Sequence, residues 1–183
     1  MNKKATRKRI VLASVIIAFA LGFVVLTNPY CQMSVMFLIM GQRNHQMRVR
    51  LLCRTDHQAL LQACREVLRR GSLNIGKSYW VGGAQPPPEV SSLPKPILDL
   101  APCAIRIEKI LGGEPVVHLV MGTSADYFGV YAYPEDYKAP SKHFKYGDKQ
   151  LIPGLWYDDE GYADNPRYDK GIEALLKKRK QAH

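Results

Sequence analysis

CAIRIEKILGGEPVVHLVMGTSADYFGVYAY, residues 103–133, decides the fold. Cys103, Ile105 and Ile107 alternate with polar Arg106 and Glu108, the period of a half-buried strand. Gly112-Gly113 supplies a hairpin turn, and Val116 to Met121 reads as the returning strand. Gly122 to Asp126 turns the chain again, and Tyr127 to Tyr133 forms a third strand. Strand follows strand with no crossover helix, so the pattern is an antiparallel meander. Leu151-Ile152 and Leu155 to Tyr157 add a short strand or cover. The expected sheet has three to four strands.

Upstream, a helix runs to Arg70 from a cap at Thr55 or Asp56. Leu60, Leu61, Cys64, Val67 and Leu68 fall at helical spacing, and Gly71 is a natural stop. Between Gly71 and Pro102 the chain is rich in glycine and proline. Pro86-Pro87-Pro88 reads as extended, with a short helical turn at Pro96 to Leu100. Downstream, Asn165 caps a final helix that Pro166 begins and that reaches Lys180, with Ile172, Leu175 and Leu176 as its apolar contacts. The class is α+β.

The N-terminus sets a different constraint. Ile10 to Leu26 carries no charge over seventeen residues, and Lys3, Lys4, Arg7, Lys8 and Arg9 precede it. As a helix it covers about 26 Å, near the short end for a hydrocarbon core of about 30 Å. The small residues Ala18 and Ala20 lie inside the run, and bulky Tyr30 precedes Cys31, so neither cleavage nor lipid attachment is expected. The lysine and arginine asymmetry places the N-terminus in the cytoplasm and the downstream domain outside it. The organisation expected is a basic cytoplasmic tail (1–9), a transmembrane anchor (10–28), a membrane-proximal helical segment (29–54) and an extracytoplasmic domain (55–183). Asn28 is expected to cap the helix that Pro29 opens.

A net charge of +10 resembles that of a nucleic-acid binder. Five of the basic residues are the topogenic tail, and four more are Lys177, Lys178, Arg179 and Lys180, so no nucleic-acid partner is expected. Cys31, Cys53, Cys64 and Cys103 permit two disulfides in three pairings, and a free buried thiol is expected at Cys64.

GSLNIGKS, from Gly71 through Gly76 and Lys77 to Ser78, fits the phosphate-loop pattern letter for letter. That chemistry needs a strand before the loop and a helix after it. Here a helix comes first, so the match is read as coincidence and no cofactor is expected. Met33, Met36 and Met40 read as apolar packing, with Cu(I) binding as the alternative. Asp158, Asp159, Glu160 and Asp164 read as a solvated turn, because their spacing does not match a calcium loop. No metal is expected.

For nucleophilic catalysis the candidates are Ser124 and the pairs Cys64–His57 and Cys103–His118. His57 is expected exposed in a first helical turn, and His118 is expected to be structural on its strand. The binding candidates are Tyr127, Tyr131 and Tyr133 on one strand face around Gly129, joined by Trp156 and Tyr157. Such rings stack on sugars or grip a peptide; alternatively the final helix packs on this face. The function expected is a ligand-binding or assembly module at the outer membrane face, with the lipid bilayer, another protein or a cell-surface polymer as partner. The alternatives are a membrane-tethered hydrolase using a His/Cys or His/Ser site, and a cytoplasm-facing domain on anionic headgroups.

Overall fold

The computed structural model describes residues 3–81, 86–109, 114–122, 127–135, 149–159 and 170–177. The chain divides into two compact units, residues 1–43 and 44–183.

The first unit holds α1 (Lys3–Thr27) and most of α2 (Pro29–Val49). Asn28 separates them as a cap: its Oδ1 accepts the N–H groups of Tyr30 (2.9 Å) and Cys31 (3.4 Å). Proline is tolerated at Pro29 because the first N–H of a helix has no intrahelical partner. Between residues 11 and 24, eight large apolar side chains stand exposed, among them Phe19 at 82%. Leu38 and Ile39 on α2 are 74% and 62% exposed. Among the described residues no single helix is long and apolar enough to cross a membrane. A bent pair, Ala13–Val24 with Pro29–Arg54, passes that test together by length and composition.

The second unit is α+β. A π-helical turn, Arg50–Arg54, follows α2, and Thr55 N–H closes it onto the Arg50 carbonyl at 3.0 Å. Asp56 then caps α3 (His57–Arg70), its Oδ1 accepting from Gln58 and Ala59 N–H at 3.0 Å each. Gly71 ends the helix in the left-handed region at φ 60°. Leu60, Leu61, Cys64 and Val67 form the buried stripe of α3. His57 departs from expectation: it is 1% exposed, with Nε2 at 2.8 Å from the Leu51 carbonyl. The π-turn carries that carbonyl back to the ring, so His57 is buried although Gln58 beside it is exposed.

Pro87 is extended (φ −54°, ψ 147°), and the short α4 (Pro88–Ser91) and α5 (Lys95–Leu100) follow. They and the link between them send Val90, Leu93, Ile97 and Leu100 into the same core as α3. Residues 170–177 are helical and form α6. Ile172 is buried in that core, with Leu175 and Leu176 packed against it. The expected cap at Asn165 and start at Pro166 lie outside the described residues.

Among the described residues six strands, not three or four, form one antiparallel sheet: β1 (Ser78–Trp80), β2 (Ala104–Lys109), β3 (Pro115–Val120), β4 (Gly129–Ala132), β5 (Lys149–Ile152) and β6 (Leu155–Asp158), in the order β1-β2-β3-β4-β6-β5. β1 escapes pattern reading because it has three residues, of which Tyr79 alone is buried. β5 and β6 pair as a hairpin around Pro153 and Gly154, whose φ of +85° suits glycine. The expected turns at Gly112-Gly113 and within 123–126 lie outside the described residues. Ile105, Ile107, Val117, Leu119, Val130, Leu155 and Tyr157 face the helices and complete the main core.

Arg48, at the end of α2, is tied to this sheet. It is 6% exposed, and its Nε donates to Asp159 Oδ2 at 3.2 Å and to the Tyr157 hydroxyl at 3.3 Å. Its guanidinium lies 4.1 Å from the centre of the Phe128 ring.

Candidate functional site

The opposite face of the sheet is unlike the core face. Side chains alternate along a strand, so cross-strand partners share a face. The register sets Ser78 opposite Arg106, Arg106 opposite His118, His118 opposite Tyr131, Tyr131 opposite Trp156 and Trp156 opposite Gln150. One polar and aromatic row therefore crosses all six strands. The neighbouring row runs Trp80, Ala104, Val120, Gly129, Asp158, and its middle is made of small or short side chains.

His118 is the centre of this face. It is 2% exposed and stacks on Tyr131, ring centroids 4.0 Å apart and 16° between planes. Nδ1 lies 3.1 Å from Glu108 Oε1. That hydrogen bond, above all, lowers the Glu108 pKa below its ordinary value; the His118 and Arg106 charges act the same way, and partial burial opposes them. Glu108 is therefore a carboxylate at neutral pH, and the N–H it accepts is on Nδ1. The other nitrogen, Nε2, makes no hydrogen bond among the described residues. A side chain at Gly129 would stand 3.2 Å from it.

Arg106 reaches across the face: one terminal nitrogen donates to the Tyr127 hydroxyl at 2.7 Å. Its Nε is buried and unpartnered, as is Trp156 Nε1. A buried donor without a partner costs on the order of 1–3 kcal/mol, and more when it carries charge. The second apolar cluster, Val116, Tyr133 and Trp156 with Tyr131 against it, lies at the other end of the row.

Of the five aromatic residues expected together, four lie on this face: Tyr131, Tyr133 and Trp156 as a cluster, and Tyr127 through its bond to Arg106. Tyr157 does not. It is next to Trp156 on one strand, so it points the other way and is fully buried beside Phe128 in the main core. The described part of α6 packs with the main core, while Tyr133, His118 and Trp156 on the tyrosine face are themselves buried. The residues sequence reasoning missed are Arg106 and Glu108. Their alternation with Ile105 and Ile107 was visible, but pairing with His118 depends on register.

The nucleophile candidates are dispersed. The His57 ring is bonded to Leu51, not to Cys64. Burial pushes the Cys64 thiol up to about 12, which keeps it protonated. Cys103 Sγ donates to the Met121 carbonyl at 3.1 Å, and all four cysteines are thiols rather than disulfides. Ser124 lies outside the described residues.

In the Gly71–Ser78 segment, α3 precedes the loop and β1 follows it, the reverse of the order that cradles phosphate. Lys77 lies over the Tyr79 ring, 5.2 Å from its centre. The loop instead borders a cleft of about 450 Å³ lined by Val67, Leu68, Leu73, Ile75, Ile107 and Pro115, with Gly71 and Asn74. Met33 and Met36 are about half exposed on α2. Among the described residues no group of three or more histidine, cysteine or acidic side chains could hold a metal. Asp158 and Asp159 are buried, not solvated, and Asp159 pairs with Arg48; Glu160 and Asp164 lie outside the described residues.

Protein-family models, curated proteins and solved structures were compared with this chain, and none matched.

Proposed function

We propose that this protein is a membrane-anchored binding module. Residues 10–28 sit in the bilayer with the basic tail in the cytoplasm, and the α+β unit stands outside. Its sheet face opposite α3 takes the ligand, a peptide or a cell-surface polymer. The observation that carries the binding reading is the Arg106–His118–Tyr131–Trp156 row, where two buried donors, Arg106 Nε and Trp156 Nε1, and one buried ring nitrogen, His118 Nε2, have no partner among the described residues. Aromatic planes supply contact area, and the unpartnered donors supply orientation.

The anchor reading rests on the apolar surface of α1 and α2. Eight large exposed side chains over residues 11–24 forfeit on the order of 10 kcal/mol if left in water. That is comparable to the whole stability of a domain, at about 5–15 kcal/mol. A helix apolar on every side belongs in lipid or in a protein interior.

Two measurements test this. A reporter active only outside the cytoplasm, fused after His183, is expected to be on; a silent reporter reverses the orientation. In a Trp80→Phe background, Trp156 fluorescence of the full chain in micelles is titrated with a panel of soluble oligosaccharides and peptides. A saturable change lost in Tyr131→Ala supports the binding face. A flat response across the panel removes it.

A further inference from the structure

We propose that Arg106, His118 and Tyr127 form an oxyanion subsite on this face, which holds a phosphate or carboxylate group of the ligand. The subsite rests on the proposed binding face and names the chemistry of that site.

Arg106 and His118 are directly opposite on β2 and β3. Both lean toward the row of small residues. Arg106 does so because its partner Tyr127 precedes Gly129 by two positions; His118 does so because Nε2 lies over Gly129. Beneath them are Ala104, Val120 and Gly129, all buried and none with a polar side chain. Arg106 Nε and His118 Nε2 are both buried and unpartnered among the described residues, on the side of these apolar residues, and the Tyr127 hydroxyl is held by the same guanidinium.

Guanidinium geometry suits planar or tetrahedral oxygen acceptors, and an anion makes each bond charge-assisted. Glu108 occupies Nδ1 and so decides what Nε2 can do. With the ring neutral, Nε2 is a lone pair and repels an anion. With one proton added, it becomes a second cationic donor whose charge Glu108 balances. Binding an oxyanion therefore takes up a proton at Nε2.

Among the described residues, the other charged and titratable groups on this face are Asp158 on β6, Tyr131 on β4, and Tyr127 and Tyr133 on either side of β4. Asp158 stands opposite Gly129 and disfavours an anion on its side. The anion is accordingly expected over β2 and β3, beside Arg106.

The test uses the full chain in neutral detergent micelles, with the His118 ring nitrogens followed by NMR. The probes are inorganic phosphate, acetate, and separately vesicles of zwitterionic or anionic phospholipid. A saturable Nε2 shift with phosphate or acetate supports a soluble oxyanion. A shift only with anionic vesicles supports a lipid phosphate. Arg106→Gln is expected to weaken binding at least tenfold, and Arg106→Lys to recover part of it. His118→Asn is expected to weaken binding as well. Unchanged unfolding midpoints of the variants separate binding from folding. No Nε2 shift with any probe overturns the subsite. If the Trp156 titration still responds to neutral oligosaccharides, the binding face survives that result; if it does not, both fall.

Discussion

Gly129→Ala tests the closest contact on the candidate face. An added Cβ would stand 2.2 Å from the Leu119 carbonyl oxygen and 3.2 Å from His118 Nε2. Ordinary C···O contacts are about 3.3 Å, so the shortfall is about 1 Å. The obstacle is backbone in a central strand, which cannot swing aside. β3 and β4 must separate locally, at the Val120–Gly129 pair and the neighbouring Met121 N–H to Phe128 carbonyl bond of 2.8 Å. A bond stretched by that much is lost, and two such losses cost about 2 kcal/mol. Displacing His118 from Tyr131 adds about 0.5–1 kcal/mol. Reduced freedom of the unfolded chain returns about 0.4–1 kcal/mol. The expected net loss is about 1.5–2.5 kcal/mol. Urea unfolding of the full chain in mild detergent, followed by tryptophan fluorescence, measures it. Gly171→Ala is the control: it is helical with open space around it, so about 0.5–1 kcal/mol of added stability is expected. If Gly129→Ala unfolds within about 0.5 kcal/mol of the parent, at the scale of a neutral surface change, the close approach of β3 and β4 is wrong.

Other outcomes follow from single contacts. Arg48→Met strands the buried Asp159 carboxylate and is expected to cost about 3–5 kcal/mol, while Arg48→Met with Asp159→Leu regains much of it; equal losses would show that the pair is not coupled. Glu108 contributes stability above the unfolded carboxylate range because its folded pKa is lowered, and loses it as pH falls through the folded value. Acid unfolding of Glu108→Gln is therefore expected to be flatter than the parent's, and His118→Phe should flatten it too. Cys64 titrates near 12 when folded against 9.0 ordinarily, so stability falls between those values as the unfolded thiol releases its proton first. Cys64→Ala should be free of that alkaline loss, and native Cys64 should resist maleimide until the chain unfolds.

Much of the architecture was legible because it rests on local chemistry. The α3 stripe needs only Leu60, Leu61, Cys64 and Val67 at helical spacing between Asp56 and Gly71. The Asn28 cap and Pro29 start were visible for the same reason. β2 and β3 announced themselves through alternation and a β-branched run. β1 did not, because three residues in a breaker-rich stretch carry no period. The site was half legible. Tyrosines at positions 127, 131 and 133 share a strand face by parity alone. The Arg106–His118 juxtaposition depends on register across two strands, which no single segment encodes. Tyr157 was misplaced by treating neighbours on a strand as partners. His57 was misplaced because a π-turn, not the cap beside it, decides its surroundings.

The long-range bonds of the second unit have a consequence for synthesis. Arg48 waits for Asp159, which emerges 111 residues later, and Cys53 Sγ meets the Leu175 carbonyl across 122 residues. A ribosome adds about 5–20 residues per second, so the latter gap lasts roughly 6–25 s. Until β6 emerges, Leu60, Leu61 and Val67 lack the complete sheet they lie on. Premature termination before β6 should therefore leave a sticky fragment rather than a smaller working protein.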